Sequence, residues 1–223
     1  GTATAFIVGF KNTQTYSRTW EARQIWGSIL NSSRAWGVMC RDYMYDVNGT
    51  RVLVYRHFAW LTALRYQMRE SKAWESTHKI YNKEYMAYYS VPEKESTLEL
   101  EMAKYIPTEE VLLIMTTKNK AVQLLGLQSK TIKEFYDQGV IDNFRFLEMH
   151  KLITTLYDHQ GKSERIKNFP YPRQFATVSS LFVKLFCILL PFSLLKDFDK
   201  LNESVGGIMQ GHMVWLVIPF SML

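Results

Sequence analysis

The sequence predicts an all-α protein in which membrane helices continue into a helical bundle. Apolar residues recur every three or four positions over several long stretches, and no stretch shows the regular apolar–polar alternation of a β-strand. Proline and glycine separate these stretches, as they commonly do between helices. A third observation, an apolar run at residues 175–195, adds the membrane to this fold class.

The apolar run at residues 175–195 carries one charged side chain, Lys184. At about 1.5 Å per residue, a helix of about 20 residues matches a hydrocarbon layer of about 30 Å. A buried helix in a soluble bundle is the alternative, although such helices usually have shorter apolar runs. Basic residues are more numerous before the run than after it, so its start is expected to face the cytoplasm. Pro191 is expected to kink this helix without ending it.

Two shorter apolar stretches lie at the ends of the chain, at residues 1–10 and 206–223. Each is short for a complete span, and position 1 is not Met, so we interpret them as pieces of membrane helices in a fragment of a longer protein. The sequence therefore predicts a multi-pass protein of the cell membrane, either plasma or inner, with lipid as one of its partners.

The first predicted element after the apolar start is an amphipathic helix over residues 16–43, continuous with the apolar stretch before it. Asn48 and Gly49 predict a turn, and a second long helix follows and ends near Glu70. Residues 71–107 have weak periodicity, so short helices and a loop are expected there.

The next predicted helix starts at Thr108, because its hydroxyl is suited to capping and two glutamates follow in the first turn. Apolar residues on one face continue this pattern to Leu125. A short helix at residues 129–138 is expected to close at Gly139, and a further helix is expected to end at Gly161.

Composition excludes a disordered chain, since 47% of the residues are hydrophobic and 22% are charged. The net charge of +6 is unevenly distributed, because residues 11–70 hold nine Lys or Arg against four Asp or Glu. This basic block suits anionic lipid head groups or a vestibule that attracts anions. A solvated helix face explains the same charges equally well.

Motifs for chemistry are absent from the sequence. The histidines and the two cysteines lack the spacing of a metal site, and no GxSxG, Walker or GxGxxG motif occurs. We therefore predict no enzymatic activity, no cofactor and no metal. Nucleic-acid binding is not expected either, because tryptophans at helical spacing are typical of packing.

Several short runs nevertheless resemble the bacterial branch of the bestrophin family of ion channels. The runs are Gly9-Phe10-Lys11-Asn12, Trp20-Glu21-Ala22-Arg23, Asn31 with Ser33-Arg34, His57 with Ala59-Trp60, and Glu164-Arg165-Ile166 followed by Pro170 and Pro172. Together they cover most of the chain and are specific to the family in combination. Ser163 departs from the pattern, since the family often has Cys before Glu-Arg-Ile.

The resemblance implies a homopentamer of helical subunits around one central pore, with passive conduction of chloride or other small ions. It implies that residues 1–15 are the end of the second transmembrane helix and form a pore neck. Residues 16–172 are then a cytosolic helical region, residues 173–195 the third transmembrane helix, and residues 196–223 a loop and the start of the fourth.

The resemblance also implies the site residues. Thr2, Phe6 and Phe10 lie four residues apart and share one helix face, which would form the apolar neck, although Thr2 is polar where an apolar residue is common. Ile141 would form a narrow cytosolic aperture. Taken without the family, this stripe is typical of ordinary helix packing. A cation-selective homologue and a membrane-anchored helical scaffold without a pore remain the alternatives.

Overall fold

The computed structural model describes residues 2–75, 80–170, 172–204 and 212–218. Within these ranges the chain is helical and contains no strand, which confirms the all-α class. The α-helices are α1 (Thr2–Tyr43), α2 (Val47–Arg69), α3 (Ile80–Tyr88), α4 (Pro92–Glu95), α5 (Leu98–Met102), α6 (Thr108–Met115), α7 (Lys120–Asp137), α8 (Asn143–Asn168) and α9 (Arg173–Ser204). A short 3₁₀ helix follows at Met213–Leu216.

The chain divides into two compact units. The first unit comprises residues 1–19 and 170–223, and the second comprises residues 20–169. The second unit holds nearly all of the buried apolar residues in the described part of the chain.

The core of the second unit is formed by α2 packed against α7 and α8, with the adjoining part of α1. Its largest fully buried side chains include Trp36, Trp60, Leu53 and Leu124. A partly buried ion pair joins α2 to α6, since Arg56 Nη2 lies 2.6 Å from Glu110 Oε1 and Arg56 Nε lies 3.1 Å from Glu110 Oε2. This two-point geometry fixes the short helix α6 on the long helix α2.

The predicted turn at Asn48 and Gly49 is wrong by a few residues. These residues lie in the first turn of α2, and the non-helical connection between α1 and α2 precedes them. Asp46 is the N-cap of α2, because its carboxylate accepts hydrogen bonds from the backbone N–H groups of Asn48 and Gly49. A local side-chain cap therefore starts the helix at a dipeptide that is otherwise typical of turns.

The helix boundaries between residues 108 and 168 also differ from the prediction. Pro107 occupies the N-cap of α6 and provides no side-chain hydrogen bond, so Thr108 is the first helical residue and not the cap. Residues 129–138 belong largely to α7, which Asn119 caps by accepting a hydrogen bond from Val122 N–H. Gly139 does end this segment, with φ of 73°, a value that favours glycine.

Gly161 does not end a helix. It lies inside α8, which continues to Asn168, and a methyl group at this position would meet no other atom within 4 Å. A single glycine costs about 1 kcal/mol, and the packing of α8 against α7 outweighs this cost, so the helix continues.

Candidate functional site

The predicted neck residues lie on the first two and a half turns of α1. Thr2, Phe6 and Phe10 are exposed in the single chain, with 74% of Phe6 and 50% of Phe10 accessible. Their spacing places them along one side of the helix. The structure thus brings the three residues onto one accessible face.

Hydroxyl side chains follow this stripe along α1. Thr13, Thr15, Ser17 and Thr19 each donate a hydrogen bond to the backbone carbonyl four residues earlier, at 2.9–3.0 Å. Since the helix backbone accepts these donors, the hydroxyl groups need no partner in another segment.

Ile141 lies in the second unit and is only 3% exposed. It precedes Asp142, the N-cap of α8, whose carboxylate accepts a hydrogen bond from Arg145 N–H at 3.0 Å. Ile141 and Phe146 therefore occupy the two positions of a hydrophobic staple; Ile141 belongs to the core cluster and Phe146 packs against it. Within one chain this side chain has a packing role.

Helix α9 contains the segment best suited to a membrane. Residues Phe175–Lys200 form a candidate span with a mean hydropathy of 2.1, and none of the apolar window is buried within the chain. The helix passes through Pro191 without ending, as predicted. Across the described residues this is the one helix long and apolar enough to cross a membrane.

Two of the runs that carry the family resemblance meet in the second unit. Arg165, from the Glu164-Arg165-Ile166 run, forms an ion pair with Glu21, from the Trp20-to-Arg23 run. Both side chains are substantially exposed, so the pair contributes little to stability by itself. The ion pair holds the end of α8 next to α1.

Glu164 organises a polar network that sequence reasoning did not identify as a site. One of its oxygens, Oε1, accepts hydrogen bonds from Gln67 Nε2 at 3.0 Å, Asn119 Nδ2 at 3.0 Å and Gln160 Nε2 at 2.7 Å. Gln160 is buried and accepts a hydrogen bond from Trp60 Nε1 at 2.9 Å. The only signal in the sequence was the position of Glu164 within a run shared with the family.

His57 is buried between two tryptophans. Its ring stacks on Trp36 at a centroid distance of 6.1 Å and lies 5.1 Å from the Trp60 ring. Neither ring nitrogen has a hydrogen-bond partner among the described residues, and burial lowers the pKa of His57 to about 4. The imidazole is therefore neutral and acts as a core side chain.

No group of three His, Cys, Asp or Glu side chains that could hold a metal ion occurs in the part of the chain that the structure describes. Cys40 is buried, and burial raises the pKa of its thiol to about 12. Cys187 is exposed on α9.

A chain whose described residues are helical, with exposed phenylalanines at its start and an apolar span that is not buried, belongs to the class of helical membrane proteins. The family model described as "Bacterial/Fungal Bestrophin protein" matches residues 1–209. The chain therefore belongs to the bacterial and fungal bestrophin family.

Curated relatives and a solved structure agree with this family. The chain is 26% identical over 206 residues to the voltage-dependent anion channel-forming protein YneE of Escherichia coli K12, covering 92% of the chain and 60% of the relative. It is 23% identical over 226 residues to the voltage-dependent anion channel-forming protein RSc3414 of Ralstonia nicotianae, covering 99% of the chain and 62% of the relative. A bacterial bestrophin homologue from Klebsiella pneumoniae, solved by Zn-SAD phasing, superposes with a TM-score of 0.75 at 22% identity, over 99% of this chain and 69% of that one. The chain thus spans about three fifths of the length of these curated relatives.

Proposed function

We propose that the protein containing this chain is an ion channel that conducts anions passively across the cell membrane, with chloride as the principal ion. The observation that carries the proposal is the family match over residues 1–209, because the curated relatives in that family are described as anion channel-forming. The exposed apolar span on α9 supports a membrane location. The proposal adds further passes in the complete protein. The proposal includes no enzymatic step and no cofactor.

The proposed pore is made by five copies of the protein. Residues 1–15 form the inner end of the second transmembrane helix, and residues 16–172 form the cytosolic region. Residues 173–195 form the third transmembrane helix. Residues 196–223 are proposed to form the connection to the fourth helix and the start of that helix, although α9 continues to Ser204 before the connection begins. Residues 205–211 and 219–223 lie outside the described residues.

The proposed neck consists of rings of Thr2, Phe6 and Phe10. The exposure of the two phenylalanines supports this role, because a face that packs inside its own chain would be covered. Rings of phenylalanine offer a permeating ion no hydrogen bonds and gate by dewetting. The neck is therefore proposed to control the size of the current and not the sign of the ion.

Ion selectivity is tested with the full-length protein in liposomes under a salt gradient. We expect the reversal potential to follow chloride, since the basic block at residues 11–70 attracts anions. A reversal potential that follows sodium would favour a cation channel. Absence of flux, together with a monomer by native mass measurement, would favour the scaffold without a pore.

The neck is tested by replacing Phe6 and Phe10 with Ala. We expect a larger current at a given driving force and an unchanged ion sign, because no charge is altered. Val8→Ala is the matched control, since Val8 is also exposed but lies on the opposite side of α1. An unchanged current in an intact pentamer of the double variant would mean that the stripe does not line the pore.

A further inference from the structure

The second unit contains a large open cavity that the proposed conduction does not use. Its volume is about 680 Å³, and it lies between the end of α2, the start of α5, the start of α7 and the end of α8. A volume of this size falls within the range of about 300–1,000 Å³ that is common for small-molecule sites. It is far larger than a halide ion needs.

The cations around this cavity outnumber the anions that could neutralise them. Lys72, Lys118 and Lys120 line the cavity together with two acids, Glu70 and Glu164. Lys72 is already paired, because its Nζ lies 2.6 Å from Glu70 Oε2.

The other acid, Glu164, is satisfied by neutral groups. Its Oε1 accepts three amide donors, from Gln67, Asn119 and Gln160. Neither Lys118 nor Lys120 is a member of any ion pair found among the described residues, since the nearby acids Glu70 and Glu75 pair with Lys72 and Lys167. Two ammonium groups therefore remain available to an anionic ligand at the start of α7.

The pKa of Glu70 shows that the charges around the cavity stabilise a carboxylate. The hydrogen bond from Lys72 lowers the pKa of Glu70, and the charges of Lys72, Lys167 and Lys120 lower it further. A carboxylate at the rim is thus stabilised in its charged form. The same field acts on any anion that enters the cavity.

Apolar groups form the other part of the wall. Ala63 and Leu98 line the cavity, and so does Tyr66, whose hydroxyl is engaged by the backbone carbonyl of Ser96 at 3.1 Å. Because this hydroxyl is already used, the ring of Tyr66 is the part that a ligand can contact. The lining therefore suits a molecule with a charged end and an apolar body.

We propose that this cavity binds a small organic anion, whose carboxylate or phosphate group pairs with Lys118 and Lys120 while its apolar body packs against Ala63, Leu98 and Tyr66. This site is separate from the proposed neck and does not require that the protein conducts ions.

The test is isothermal titration calorimetry on the full-length protein in detergent. The probes are phenyl phosphate and benzoate, and the comparison probes are inorganic phosphate and acetate, which have the same charged groups without the apolar ring. We expect the aromatic probes to bind more tightly than their small counterparts, and the stronger of the two to identify the preferred charged group. Equal affinity of the aromatic and small probes, or no binding by any probe, would overturn the proposal.

The variant K118Q/K120Q is expected to weaken binding of the preferred probe by about tenfold or more, since each charged hydrogen bond contributes a large share of affinity. The matched control is K130Q/K133Q, which removes the same charge from exposed positions of α7 outside the cavity. We expect this control to bind normally. An equal loss in both double variants would show diffuse attraction by the net charge and would overturn the site.

The variant K118R/K120R tests whether any loss of binding in K118Q/K120Q comes from the lost charges or from misfolding. It keeps both charges, so binding is expected to persist, and a loss in K118Q/K120Q then reflects charge. Because calorimetry does not depend on ion flux, a protein that fails to conduct but binds the probe would refute the proposed function and leave this inference intact.

Discussion

Lowering the pH should destabilise the second unit through His57. The ring is 4% exposed, lies between Trp36 and Trp60, and has no hydrogen-bond partner for either nitrogen among the described residues. Charging such a ring would bury an unpaired cation, so the folded protein resists protonation there. The unfolded chain has no such restriction and takes up the proton at an ordinary pKa.

The magnitude follows from the two pKa values. Burial lowers the pKa of His57 from 6.5 to about 4, so the unfolded state binds more protons than the folded state between these values. The free energy of unfolding is therefore highest above pH 6.5, where His57 is neutral in both states, and it falls as the pH decreases towards 4. At about 1.4 kcal/mol per pKa unit, the loss between pH 7 and pH 4 is about 3 kcal/mol.

The assay compares the wild type with His57→Phe, which keeps an aromatic ring between the tryptophans and removes the titrating group. Urea unfolding of the full chain in a non-ionic detergent is followed by tryptophan fluorescence at pH 7 and pH 4. Other acids titrate equally in both proteins, so their effect cancels in the comparison. We expect the wild type to lose about 3 kcal/mol more than the variant. An identical pH dependence in the two proteins would refute the reasoning.

Three further outcomes are expected. Glu164→Ala should lower the free energy of unfolding by about 3 kcal/mol, because three amide donors lose their acceptor; urea titration checks this against Glu148→Ala, an exposed change on the same helix. In a Cys187→Ser background, Cys40 should resist a maleimide at pH 8 until urea unfolds the protein, because burial raises its pKa to about 12, and rapid labelling of the native protein would contradict this. Ile141→Ala should lower stability by about 2–4 kcal/mol without changing relative permeability, since the side chain is 3% exposed; altered permeability between small and large anions in a folded variant would support the aperture instead.

The long helices were predictable because their signals are repeated many times along the sequence. The periodic pattern ends α1 at Tyr43 and α2 within one residue of Glu70, as expected. The errors occur where one residue decides the outcome. Asp46 and Asn119 cap helices that the pattern of turn residues placed elsewhere, and Gly161 remains inside α8. A cap depends on side-chain geometry, which the residue type alone does not specify.

The polar network of Glu164 could not be predicted for a related reason. Its donors, Gln67, Asn119 and Gln160, come from three elements that only the tertiary fold brings together. Amide side chains also lack a sequence pattern of their own. The shared face of Thr2, Phe6 and Phe10 could be predicted because all three residues lie on one helix, where spacing determines the face.

The first unit leaves much of its apolar surface exposed in a single chain. Among its described residues, Val217 is the apolar side chain classed as buried, whereas Phe6, Phe175, Ile188 and Phe192 are at least 60% exposed. A helical unit in water gains its stability by covering such surface, and the described part of this unit leaves these side chains largely uncovered within the chain. Lipid and neighbouring copies are the two surroundings in which these side chains lose their contact with water. The span on α9 suits lipid. The stripe at the start of α1 suits neighbouring copies, because the proposed rings of the neck require more than one copy. The second unit therefore covers its apolar side chains with residues of the same chain, whereas the first unit needs other molecules to cover its own.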